Sequence, residues 1–531
     1  MKTLFRNGTI IDGSGGRAYA ADLMVENGRI ASIGAIAASD NAQIYDATGR
    51  IICPGFIDTH THSDLAAIIE PALSPKIRQG ITTELLGQDG VGLAPLPEQY
   101  IPAWRRNIAG LDGDTDKIDW KYGDTAGYLK LLAANRPATN LAYLVPHGNV
   151  RMAAIGLDGR QATREEVAVM CAILEHELEA GAFGLSTGLI YMPCAFADTY
   201  EMTELCKVTA KHGGVFVVHQ RSEADDIFAS TRELIDIART SGVWLHISHM
   251  KVCGRKNWDI IDRMLGLLEE AQASGIRISF DQYPYVAGST MLGVILPPWV
   301  HAGGTDKAVE RLASPELRTR MIEDIRNGIP GWDNFIDFAG LDQIFVTSVK
   351  TAKNEDAIGR NLVELGDLRG KDPYNAAFDL LYEEENAVGM VDFYGTEEHV
   401  IRFLCRSEQN VCTDGLMGKG KPHPRVYGAF PRVLGRYVRE KKCLTWEEGI
   451  RKMTGKPAEV MGLRNRGLLR CGYAADIVVL NPETVIDKGT FVEPNQYPEG
   501  IDAVMVNGTF ALAGGMETWG RSGKVLTATA R

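Results

Sequence analysis

Short apolar runs alternate with stretches of helical period through most of the chain, a pattern that predicts βα units around a parallel sheet. Eight runs qualify as strands, at residues 51–57, 82–87, 140–145, 183–187, 215–219, 243–249, 278–281 and 410–414. Between them the helices carry their own punctuation. Thr163, with Glu166 three positions on, forms a capping box ahead of the helical pattern at 167–180, and Gly181 supplies the stop. Eight parallel strands with polar residues at their C-terminal ends predict an α/β fold of the (β/α)8 type, a TIM-like barrel with its chemistry on that face. A doubly wound sheet is the alternative topology that the same alternation allows.

The two chain ends follow a different grammar. At 22–26 a β-rich run leads into Asn27-Gly28, a dipeptide suited to a two-residue hairpin turn, and runs at 476–480, 503–506 and 510–512 repeat the pattern around Asn507-Gly508. Neither end is long enough to bury a core alone, so the two are expected to pair into one small β-domain. The expected division is 1–54 and 469–531 for that domain, with the barrel at 55–468. The gap between the seventh and eighth strands is too long for a single crossover and places an insertion at about 290–350. Its opening, Met291-Leu292-Gly293-Val294-Ile295-Leu296-Pro297-Pro298-Trp299, is apolar. It reads as a lid segment over the site or as a packed excursion on the barrel wall, and Met291, Leu292 and Trp299 lean toward hydrophobic substrate side chains.

Composition narrows the function classes. In 531 residues, 45% are hydrophobic and 23% charged, which excludes a disordered, collagen-like or coiled-coil chain. Lys plus Arg number 56 against 68 Asp plus Glu, a net charge of −12, so no positive field draws in nucleic acid or an anionic membrane. An anionic ligand must be caught by a few local cations. Lys2, Arg6 and Asp12 interrupt the first apolar stretch, so neither a secretory segment nor a spanning helix is expected there. Nine cysteines without a spacing pattern fit reduced, buried thiols, and a cytoplasmic protein is expected. The sequence leaves a homo-oligomer open.

Candidate chemistry gathers at the strand ends. In Phe56-Ile57-Asp58-Thr59-His60-Thr61-His62 the two histidines alternate to the same side of the first strand, where two imidazoles share a metal or form a hydrogen-bonded core pair. His219 ends the fifth strand and His249 the sixth. Four imidazoles buried on one barrel face are costly unless a metal satisfies them. His246, three residues before His249, points to the other face and reads as supporting, and His147 is ambiguous in the same way. Asp414-Gly415 ends the eighth strand with a carboxylate suited to moving a proton from water to a leaving amine, or with an ordinary turn.

The chain as a whole resembles the amidohydrolase superfamily, and within it the N-acyl-D-amino-acid deacylases, also called D-aminoacylases. The resemblance rests on Gly55-Phe56-Ile57-Asp58-Thr59-His60-Thr61-His62, Gly80-Ile81-Thr82-Thr83, Gly184-Leu185-Ser186-Thr187-Gly188-Leu189, His219-Gln220-Arg221-Ser222-Glu223, His249-Met250-Lys251, and Asp414-Gly415 with His423-Pro424-Arg425. It implies that His219 and His249 hold a catalytic zinc and that His60 and His62 form a weaker neighbouring metal site. It further implies that Asp414 is the acid/base and that Lys251, Tyr283 and Arg425 bind the α-carboxylate of a small N-acylated D-amino acid. A guanidinium fork, an ammonium and a phenol suit that task. Taken singly, Lys251 and Arg425 are equally surface charges and Tyr283 is equally rim packing. The counterpart of Tyr191 in similar enzymes faces the scissile carbonyl, which makes Tyr191 an oxyanion donor or, alternatively, a hydrogen-bonded barrel tyrosine.

One departure concerns the loop after the second strand, where the family places a zinc-binding Cys. Here Gly87-Gln88-Asp89-Gly90 puts Asp89 at that position, as a ligand or as part of a turn. A carboxylate hardens the site and brings in manganese or cobalt beside zinc. The fourth strand ends Leu185-Ser186-Thr187-Gly188, without the lysine that hydantoinases and many dihydroorotases carboxylate to bridge two metals. The implied activity is metal-dependent hydrolysis of an N-acyl-D-amino acid to a carboxylate and a free D-amino acid. The alternatives are a related hydrolase of a cyclic amide or D-containing dipeptide, and a non-catalytic assembly protein on the same barrel.

Overall fold

Eight strands pair in parallel round a closed circuit in the computed structural model, which describes residues 2–37, 41–418 and 420–528. They are β1 (Phe56–Asp58, continued by Thr61–His62), β2 (Ile81–Leu86), β3 (Asn140–Tyr143, continued by Val145–Pro146), β4 (Gly184–Gly188), β5 (Val215–His219), β6 (Trp244–Ile247), β7 (Ile278–Gln282) and β8 (Gln409–Val411, continued by Gly415–Leu416). Each pairs with its successor, from Phe56 opposite Ile81 to Phe280 opposite Gln409. Gly415 opposite Thr61 then returns the circuit to β1. This is the (β/α)8 barrel, and the doubly wound alternative falls. Helix Arg164–Glu179 starts on the expected capping box, with Thr163 and Glu166 satisfying each other's backbone donors.

The first apolar run serves two sheets. Ile51–Pro54 pairs with Lys2–Ile10 and with Ile477–Leu480, and only after Gly55 does the chain enter the barrel. A Cβ at Gly55 would lie 2.1 Å from Thr82 Oγ1, so only glycine lets the two sheets approach here. Strands from both chain ends form a single nine-stranded sheet around buried Phe5, Leu23, Val25, Ile52, Ile477, Val479 and Met505. Both Asn-Gly turns are left-handed, with φ of 52° and 77° at Asn27 and Gly28 and of 47° and 81° at Asn507 and Gly508. They meet tip to tip: a Cβ on Gly508 would fall 2.5 Å from Gly28 Cα.

The insertion runs further than the sequence suggests. Ala287–Met291 pairs with Gly389–Phe393, which also pairs with Ile344–Ser348, in a three-stranded antiparallel sheet. The excursion therefore spans 287–393 rather than 290–350, because its closing strand comes only at Gly389–Phe393. Its apolar opening does not reach the strand-end cavity. Leu292 is buried in the core, and Trp299 packs under Arg320 with its indole N–H donated to Asp324. Among the described residues no helix is long and apolar enough to cross a membrane, and all nine cysteines are free, five of them buried.

Candidate metal centre and substrate cavity

The barrel's C-terminal mouth brings six donor side chains together. His60 and His62 leave β1, Asp89 lies in the loop after β2, His219 ends β5, and His249 and Asp414 follow β6 and β8. Asp89, His249 and Asp414 adopt left-handed backbone, with φ of 55°, 35° and 48°, a strained choice for non-glycine residues and one that clusters at functional sites. Two of the three are pinned by their own amides: His249 N–H donates to Asp281 Oδ1 at 2.6 Å and Asp414 N–H to the His60 carbonyl at 2.8 Å.

Asp89 is shared by two donor groups. Ligand atoms of His60, His62, Asp89 and Asp414 lie within 4.8 Å of one another, and so do those of Asp89, His219 and His249. Asp89 Oδ2 stands 3.5 Å from both His60 Nε2 and His62 Nε2, and Oδ1 stands 3.8 Å from His249 Nε2. Asp414 Oδ1 is 3.6 Å from His60 Nε2 and 3.5 Å from His62 Nε2. Both ring nitrogens of His60, Nδ1 of His62 and Oδ1 of Asp89 are buried without a hydrogen-bond partner. Orphaned buried donors of this kind, nitrogen and carboxylate together, fit divalent metal. Asp89 is thus part of the cluster as well as of a turn.

A supporting layer fixes these side chains. Asp281 accepts from Thr59 Oγ1 at 2.9 Å and lies 3.1 Å from His246 Nε2, which accounts for the sixth strand's buried histidine outside the metal cluster. Burial pushes the Asp281 carboxyl up, but His246 outweighs this and holds it at about 2. Glu223 Oε1 lies 3.1 Å from His249 Nδ1. Lys76 Nζ donates to Asp58 at 2.8 Å, Thr61 at 2.6 Å and Thr413 at 2.8 Å, tying β1 to β8 from behind. His147 lies outside the cluster, between Thr187 and Glu201.

The cluster opens on a cavity that Tyr191, Lys251 and Tyr283 help to line. Tyr191 Oη is 2.8 Å from Thr290 Oγ1, and its ring centroid is 5.5 Å from that of His219. Arg425 is fully buried, 2.9 Å from Asp414 Oδ2, and its guanidinium lies 4.4 Å over the Tyr283 ring. Burial pushes the Asp414 carboxyl up, but Arg425 and His60 more than offset this and hold it well below the ordinary carboxylate range. Lys251 meets Glu223 at 2.7 and 2.8 Å. Neither Lys251 nor Arg425 is a surface charge, and Tyr283, bonded to the Tyr394 hydroxyl at 2.9 Å, is not rim packing.

Sequence reasoning gave no role to Glu223, Asp281, Lys76 or Asp112, whose Oδ1 is 3.7 Å from His62 Nδ1. Glu223 and Asp281 sit close to strand ends, the position that marked the histidines, so the same signal reaches them. Asp333 and Asp392, which also line the cavity, carry no local signal because they come from the excursion, and Tyr394 follows directly after it.

The chain matches the Amidohydrolase family over residues 43–249 and 398–511. D-aminoacylase of Alcaligenes xylosoxydans xylosoxydans is 35% identical over 527 residues, 99% of this chain and 98% of that protein. The crystal structure of N-acyl-D-glutamate deacylase from Bordetella bronchiseptica, complexed with zinc and a phosphonate mimic of the tetrahedral intermediate, matches with a TM-score of 0.85 at 34% identity, covering 99% of both chains. A D-aminoacylase with a binuclear metal centre matches with a TM-score of 0.84 at 34% identity, again over 99% of both chains. With likeness of this extent, and histidine and aspartate donors gathered at one mouth of a (β/α)8 barrel, the chain belongs to the amidohydrolase family, in its N-acyl-D-amino-acid deacylase group.

Proposed function

We propose that this protein hydrolyses the amide bond of N-acyl-D-amino acids in a metal-dependent reaction, releasing a carboxylate and a free D-amino acid. The observation that carries the reading is the donor cluster around Asp89, open to a cavity lined by Lys251 and Tyr283, with Arg425 stacked on the Tyr283 ring behind it. The substrates named for the Alcaligenes and Bordetella relatives support the substrate class, and the zinc of the Bordetella structure supports the metal. His219, His249 and Asp89 would hold one ion tightly, and His60, His62 and Asp89 a second more weakly. With no thiolate in the set, zinc, manganese and cobalt all suit it. When bound, the metal supplies polarisation of the acyl carbonyl and an acidified water.

The chain's own residues do the rest. Asp414, kept ionised by Arg425, takes a proton from the attacking water and returns it to the departing amine. The Tyr191 hydroxyl turns from Thr290 toward the developing oxyanion. Tyr283, Lys251 and Arg425 fix the α-carboxylate, and with it which enantiomer presents its acyl group. Because Lys251 and Arg425 already pair with Glu223 and Asp414, the substrate carboxylate joins two existing ion-pair networks rather than bare cations. No observation favours a cyclic amide, since β4 carries no lysine. The free, largely buried cysteines suit a cytoplasmic setting.

The test is amine release from a panel of N-acetyl-D- and N-acetyl-L-amino acids, with and without chelator. Chelator-sensitive release from the D-members alone is expected. Release from no member by metal-loaded protein discards the substrate class.

A further inference from the structure

The cavity has a second charged wall that the α-carboxylate clamp does not use. Asp333 and Asp392 both line it, at 7% and 2% exposure, and neither forms an ion pair with any described residue. Both belong to the excursion, in the stretch between the two segments matched to the family. Asp333 is fixed in place by the Ser222 hydroxyl and the Glu223 amide, each donating at 2.6 Å. No other described residue donates a hydrogen bond to the Asp392 carboxylate. It faces the strand opposite at Gly288, where a Cβ would lie 2.9 Å from Asp392 Oδ1 and 3.6 Å from the Tyr283 hydroxyl. Glycine at 288 therefore leaves the carboxylate open to the cavity.

Buried carboxylates are ordinarily paired. Here the one lysine or arginine among the described lining residues, Lys251, is neutralised by Glu223. Burial pushes both the Asp333 and the Asp392 carboxyls up to about 7, and at Asp392 the nearby Lys251 and Arg425 offset this only in part. Phe335 and Phe338, with ring centroids 4.8 Å apart, bring an apolar, aromatic face to the same cavity.

We propose that the side-chain pocket is built for a cation, so that the preferred substrates are N-acyl-D-amino acids with a basic side chain, of the arginine or lysine type. The inference rests on the deacylase reading above. The alkyl stem packs on Phe335 and Phe338, and the guanidinium or ammonium head meets Asp392 and Asp333 through charge-assisted hydrogen bonds. A side-chain carboxylate finds no cation at this wall and is repelled by whichever aspartate is ionised, so D-glutamate conjugates are disfavoured.

The test is kcat/KM of the metal-loaded enzyme for N-acetyl-D-arginine, its neutral near-isostere N-acetyl-D-citrulline, N-acetyl-D-leucine and N-acetyl-D-glutamate. Arginine is expected to exceed citrulline by about tenfold and glutamate by about a hundredfold or more. Asp392→Asn, and separately Asp333→Asn, should shrink the arginine-to-citrulline ratio toward one. If either variant fails to fold, the wild-type ratio decides. Hydrolysis of leucine or citrulline conjugates with no arginine preference overturns the cationic pocket and leaves the deacylase reading standing. Hydrolysis of no N-acetyl-D-amino acid overturns both.

Discussion

The Lys251 ammonium sits 2.7 and 2.8 Å from the two oxygens of the Glu223 carboxylate, which also lies 3.1 Å from His249 Nδ1. Lys251 itself approaches the same nitrogen at 2.6 Å, a contact that needs a lone pair where the Glu223 contact needs an N–H. If His249 held a metal through Nε2, the proton would stay on Nδ1 and Glu223 would be its partner. Glu223→Gln should weaken metal binding by roughly 10–100-fold, as loss of a carboxylate behind a ligating histidine does. Metal titration followed by activity checks this; unchanged affinity removes Glu223 from the metal's support.

Asp89 offers an oxygen to each donor group, so its loss is felt by both. Asp89→Ala should lower bound metal in the purified protein, and Asp89→Cys should shift preference from manganese toward zinc by supplying a softer donor. Elemental analysis after dialysis against equal concentrations of the two metals reads both effects. An Asp89→Ala protein with full metal content would place Asp89 in a turn alone.

Asp414 Oδ1 stands 3.6 and 3.5 Å from two histidines of the cluster, and the proposed reaction gives it the proton transfer. Asp414→Asn should cut kcat by roughly 10²–10⁴-fold, the range for a lost general acid/base. Metal content measured on the same sample separates this from ligand loss, and substantial turnover by the variant removes the assignment.

His147 offers a test of stability away from the metal. Burial pushes its imidazole down, but Cys194 and Glu201 outweigh this and raise it to about 9. The folded value lies above the unfolded one of about 6.5, so the stabilisation is complete below that pH and is lost as pH rises through about 9. His147→Gln should therefore cost more, by roughly 3 kcal/mol, at about pH 6 than at about pH 10. Urea denaturation of wild type and variant at the two pH values gives the difference; an equal cost at both would mean that His147 is buried neutral.

The barrel is legible in the sequence because its strands are continuous apolar runs, and the strand-end histidines are legible because period-two alternation puts His60 and His62 on one side. The transfer of the chain between sheets at Gly55 is not, since the run 51–57 stays apolar across it and the reason lies in Thr82. Glu223 stands in a visible motif, but its meaning depends on Lys251, which leaves a different strand. Asp392 is the least legible, because its exposure to the cavity depends on antiparallel pairing with Gly288, about a hundred residues away.

Every donor of the metal cluster leaves a barrel strand or the loop directly after one, whereas Asp333, Phe335, Phe338 and Asp392 all leave the excursion between β7 and β8. On the proposed reading, the metal donors and the α-carboxylate clamp belong to the barrel, and the side-chain pocket belongs to the excursion. Changes confined to the side-chain wall at Asp333, Phe335, Phe338 and Asp392 would then alter which side chain is accepted while every metal donor is inherited unchanged.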